Sequence, residues 1–79
     1  MSRREKLLTK IRTNPRGVRF DELAKLLEWH GFELKRVKGS HHYFAQGPYL
    51  VCLVRRRPHV HIQAVKEVLS ILDELLEDA

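Results

Sequence analysis

Lys38-Gly39-Ser40-His41-His42-Tyr43-Phe44-Ala45-Gln46-Gly47-Pro48-Tyr49-Leu50-Val51-Cys52-Leu53-Val54 decides the fold of this chain. Residues 41–45 and 49–56 read as strands, the second carrying an unbroken apolar run from Leu50 to Val54. Gly39-Ser40 and Gln46-Gly47-Pro48 are turn signals tight enough to join neighbouring strands. Upstream, the stretch from Phe32 to Lys38 begins with apolar–polar alternation and supplies a third strand. Three strands separated by such short turns predict an antiparallel meander.

Helices flank the strands. Ser2-Arg3-Arg4-Glu5 has the spacing of a capping box, and Leu7, Leu8 and Ile11 form a short helical stripe that stops near Asn14-Pro15. The first helix is therefore expected at about 2–13. A second, at about 20–30, places Phe20, Leu23, Leu26, Leu27 and His30 on one face, with Asp21 and Glu22 in its first turn and Gly31 as its stop. The last begins near His59 to His61, past Pro58, and buries Ile62, Val65, Leu69, Leu72 and Leu76. The order is ααβββα. The predicted class is α+β, a small three-stranded antiparallel sheet with helices on one face. Length predicts one domain over residues 1–79, with a core too modest to enclose a deep site. A shallow site favours a large substrate such as a nucleic acid.

Charge points the same way. The net charge is +5. Arg3, Arg4, Lys6, Lys10, Arg12, Arg16 and Arg19 face only Glu5 in the first 19 residues. Lys35, Arg36, Lys38, Arg55, Arg56 and Arg57 form a second basic set against Glu33. The end is acidic, with Glu67, Asp73, Glu74, Glu77 and Asp78. A basic face of this kind suits phosphates. The lone Cys52 sits in the apolar run and is expected to be a small buried residue. With no disulfide to form, no leader pattern at the N-terminus and no apolar run long enough for a membrane span, the expected compartment is the cytoplasm.

Strand parity sorts the histidines. Successive side chains alternate between sheet faces. Phe44 should face the helices, which brings His42 to the core edge and leaves His41 and Tyr43 on the open face. A bulge after Gly39-Ser40 would exchange them. An open-face histidine near neutral pKa can serve as general acid or base on a phosphodiester. Lys38 and the Arg55-Arg56-Arg57 run can grip the phosphate, and Tyr43 can stack on a base. Adjacent histidines on a strand point apart, and no paired cysteines accompany them, so neither a metal site nor a cofactor is expected. His59 and His61 sit at the start of the last helix, where a phosphate would be favoured. Trp29 is expected to be a partly buried packing residue rather than a stacking platform.

These residues also carry a family resemblance. The segment from Gly31-Phe32-Glu33-Leu34 to Lys38-Gly39-Ser40-His41-His42-Tyr43-Phe44 resembles the HicA toxin family of mRNA interferases. Val18 to Leu27 is similar to that family's first helix, and His61 to Val68 to the closing helix of its YcfA-type branch. The match runs over roughly residues 18–72. The resemblance implies a double-stranded-RNA-binding-domain-like fold, metal-free and ribosome-independent cleavage of mRNA, and a HicB-type antitoxin covering the site. The histidine after the Gly-Ser pair, His41, is implied to be catalytic. Lys38, Gly39, Ser40, His42, Tyr43, Arg55, Arg56, Arg57 and His59 are then the expected RNA contacts. The extra helix at 2–13, the Arg55–His59 segment and the long acidic end depart from the short members. A non-catalytic RNA-binding module, or an interaction protein that pairs through its first or last helix, are the alternatives.

Overall fold

Ser2 opens the first helix as its spacing requires, with its Oγ accepting from the Glu5 amide at 3.2 Å. The computed structural model describes residues 2–77. Its elements are α1 (Arg3–Thr13), a 3-10 turn (Pro15–Gly17), α2 (Phe20–Trp29), β1 (Glu33–Lys38), β2 (His41–Gln46), β3 (Tyr49–Val54) and α3 (Ile62–Glu77). This is the predicted ααβββα order. Asp78 of the acidic end lies outside the described residues.

The second helix ends in a Schellman closure. The Gly31 amide donates to the Glu28 carbonyl at 3.1 Å and the Phe32 amide to the Leu27 carbonyl at 3.0 Å. Gly31 has φ +91°, a conformation that side chains resist. Phe32 is thereby drawn out of the first strand, which starts one residue later than predicted, and is buried. A Cβ at Gly31 would also lie 2.8 Å from Gln46 Nε2. Gly31→Ala is expected to cost about 1–3 kcal/mol. An unmoved urea midpoint would contradict this.

Both hairpins use two-residue loops. Lys38 pairs with His41 and Gln46 with Tyr49. Gly39 (φ +60°) and Gly47 (φ +55°) occupy the first loop positions, as type II′ turns require. The sheet order is β1-β2-β3, antiparallel throughout. Pairing of β2 with β3 is regular from His41–Val54 to Gln46–Tyr49. The irregularity falls in β1, between Leu34 and Arg36, and not after Gly39-Ser40.

Phe44, Val51 and Leu53 bring the covered sheet face to the core. There they join Leu23, Leu26 and Leu27 of α2, Val65, Val68 and Leu72 of α3, and Ile11 of α1. Two expectations are corrected. Cys52 is exposed, because it alternates with the buried Val51 and Leu53 and faces the uncovered side. Leu76 is 53% exposed, because the last turns of α3 run past the core.

The first helix is docked, not trailing. Ile11 is buried, Lys10 Nζ meets Glu22 Oε2 at 2.6 Å, and Arg12 pairs with Asp73 of α3. The Lys10 ammonium, followed by the hydrogen bond from the Arg19 amide, holds the Glu22 carboxyl below the usual glutamate range. Its folded pKa lies below its unfolded one. The resulting stability is present above the unfolded glutamate pKa and is lost as pH falls through the folded value. Lys10 is largely exposed, so the pair contributes about 0.5 kcal/mol. Lys10→Ala should therefore lower the urea midpoint at pH 7 and leave it nearly unchanged at pH 2. A loss of equal size at both pH values would assign the effect to packing.

Candidate nucleic-acid interface

Pairing register builds the open face of the sheet. Residues directly opposite one another share a face. One row reads Lys38–His41–Val54 and the next Arg36–Tyr43–Cys52. His41 is exposed, with Lys38 across from it on β1. The Arg36 guanidinium lies 5.8 Å from the centre of the Tyr43 ring, which is half-buried. Tyr43 was expected to offer its ring to a base; here an arginine already leans over it. Together these side chains place two cations, Arg36 and Lys38, beside His41 on one surface.

The opposite rim is built by β2, the segment after β3 and the start of α2. His42 stands 4.6 Å from the Phe20 ring, tilted by 59°. Its Nδ1–H donates to the Ser40 carbonyl at 3.2 Å, which leaves Nε2 as the free nitrogen of the neutral ring. The same carbonyl accepts from the Arg55 amide at 2.8 Å. The Arg55 guanidinium lies 5.5 Å from the centre of the Phe20 ring. Arg19, Phe20, Arg55, Arg56 and Arg57 line an open groove here, with Asp21 as its acid.

The structure therefore divides the expected contacts. Lys38, His41 and Tyr43 lie on the open face. His42 and Arg55 lie on the helix side, as do Arg56 and Arg57 through the groove. Gly39 and Ser40 form the turn between the two groups, and the Ser40 carbonyl is held by residues of the second. His59 is exposed in the loop that follows β3 and, among the described residues, makes no hydrogen bond or ring contact with His41 or His42. His61 precedes α3, its Nδ1 accepting from the Gln63 amide at 3.1 Å, so the helix begins one residue beyond the expected range. Among the described residues, no group of three or more His, Cys, Asp or Glu side chains is arranged to hold a metal. No helix among them is long and apolar enough to cross a membrane.

Three residues were missed from sequence. Phe20 reads as a core position of α2 but is only half-buried and carries both His42 and Arg55. Arg19 adds a cation to the groove. Arg36 could have been found as the residue two before Lys38, on the same strand face.

A family model described as the HicA toxin of bacterial toxin–antitoxin matches residues 20–73. It spans α2, the whole sheet and most of α3. No curated protein and no solved structure matches the chain.

Proposed function

The chain belongs to the HicA toxin family, and from that premise we propose that it is an endoribonuclease that cleaves mRNA without a metal. The family's place in toxin–antitoxin systems supports a toxin role and an antitoxin partner. We assign that partner to the HicB type and the site of action to the cytoplasm. The observation that carries the reading is the exposure of His41 on a regular, unbulged pairing of β2 with β3, beside Lys38.

In the proposed mechanism His41 takes the proton of a ribose 2′-hydroxyl, and that oxygen attacks the adjacent phosphorus. The 5′-oxygen of the next nucleotide leaves with a proton, and a 2′,3′-cyclic phosphate remains. The proton returned to the leaving oxygen comes from the imidazolium formed in the first step or from water. Lys38 and Arg36 offset the charge that builds on the phosphorane oxygens. Gly39 and Ser40 position the strand at the turn. Arg55, Arg56 and Arg57 hold RNA on the helix side, with His42 beside them.

A second reading is a non-catalytic RNA-binding module. Parity favours it in one respect: His42 lies on the other face, so His41 has no adjacent histidine with which to divide the acid and base roles. Incubation of the purified protein with a mixed mRNA pool in EDTA separates the two. New fragments establish the nuclease. Intact RNA that is nevertheless retained by the protein establishes the binding module.

A further inference from the structure

Trp29 is the chain's only tryptophan, and it ends α2 with 37% of its surface exposed. It was expected to be a partly buried packing residue, and it is partly buried; its exposed part stands between two shallow grooves. One is lined by Arg3, Lys6, Leu7 and Lys25, and the other by Arg3 and Arg4. The Lys25 ammonium lies 5.6 Å from the ring centre, and Arg4 Nη1 donates to the Trp29 carbonyl at 3.4 Å. Of the two acids lining these grooves, Glu22 is engaged by Lys10 and Arg19, which leaves Asp21; Glu5 and Glu28 lie beside them on α1 and α2.

We propose that α1 and α2 form a second RNA contact, in which Trp29 stacks a base of a single strand whose phosphates run past Arg19 to the Arg55–Arg57 groove. The proposal rests on the RNA-binding reading given above and extends its footprint. Two independent observations carry it. An exposed indole among cations is the arrangement that captures unpaired bases, because every base has a face to stack. Arg19 lines both the groove between Trp29 and Lys6 and the Arg55–Arg57 groove, with Asp21 as the acid common to the two, so the surface is continuous from Trp29 to the helix-side rim. The occupant is single-stranded, since bases in a duplex do not expose a face to the ring. Arg3, Arg4 and Lys6 precede the family match, which begins at Phe20, so this contact is a feature of the leading helix of this chain.

The test is titration of the full-length protein with a 2′-O-methyl uridine dodecamer, which has no 2′-hydroxyl to attack its own backbone. Tryptophan emission reports on Trp29 directly. Binding should quench it. Trp29→Ala should weaken affinity about tenfold, while Trp29→Phe should keep most of it. Because Trp29→Ala could perturb packing, Arg3→Glu with Lys6→Glu provides a surface test. That double variant should weaken binding and flatten the plot of log affinity against log salt by about 1.4, for two lost phosphate contacts. Circular dichroism checks that each variant is folded. If the wild type binds but neither set of variants weakens it, this contact is wrong, the RNA reading stands, and the patch is left to a protein partner. If the wild type binds neither the dodecamer nor mixed mRNA, both readings fall.

Discussion

His41→Ala should abolish RNA cleavage in EDTA and leave the thermal midpoint where it was. The side chain is exposed and makes no hydrogen bond to the described residues, so its removal takes nothing from the core. Loss of a group that moves a proton in the transition state typically costs 10²- to 10⁴-fold in rate. Here one imidazole serves at the site, so the expected loss lies at the upper end, about 10⁴-fold. RNA retention should fall by no more than about threefold, because the arginines remain. His42→Ala is the matched control. It removes the stack on Phe20 and the hydrogen bond to the Ser40 carbonyl, so it should lower stability by about 1 kcal/mol while cleavage persists. Cleavage by His41→Ala at the wild-type rate would sink the assignment. The reverse pattern, with His42→Ala inactive and His41→Ala active, would move the chemistry to the groove beside Arg55.

Phe44→Ala should unfold much of the population at 37 °C. Phe44 is 1% exposed and is the largest fully buried side chain. It stands at the centre of β2, between Leu34 on β1 and Val51 on β3. Removing a buried phenyl ring costs about 3–5 kcal/mol, part from lost transfer out of water and part from the cavity left behind. A chain of this length has about 4–12 kcal/mol to lose. The variant should show a urea midpoint reduced by about a quarter or more at unchanged slope. Phe44→Leu, which keeps most of the volume, should lose far less. Equal midpoints for wild type and Phe44→Ala would mean that the helices do not pack on this face of the sheet. RNA assays on Phe44→Ala then report folding, not chemistry, which sets its behaviour apart from that of His41→Ala.

The meander was readable because its turns are written in single residues. Gly39 and Gly47 can take positive φ, and the lengths between them leave room for little besides six-residue strands. Parity followed from Phe44, whose burial fixed the faces of His41 and His42 together. Parity failed for Cys52 because Leu50 to Val54 is apolar at every position. Such a run contains no alternation to read, and helices cover only one of its two faces. The β1 irregularity could not be seen either. Whether Leu34 and Arg36 share a face depends on how β1 is paired with β2, and both registers suit the sequence Glu33 to Lys38. The helix-side rim was the least legible part. Arg55 belongs to a segment with no period, and its meeting with Phe20, 35 positions away in the chain, is set by tertiary packing alone.

The irregularity at Lys35 has a bearing on how this protein behaves when it is abundant. β1 is an outer strand of the sheet, with all six residues exposed. A flat outer strand invites another chain to add to it and so to seed fibres or amorphous precipitate. Here the unpaired residue in the middle breaks the hydrogen-bonding repeat, and Lys35, Arg36 and Lys38 against Glu33, which holds Lys35, leave the strand with a net positive charge that opposes self-addition. Leu34 and Val37, which would otherwise be a sticky pair, are 47% and 52% exposed but sit on either side of that break. The strand is thus ill-suited to template its own copies, and concentrated solutions at low salt should stay clear.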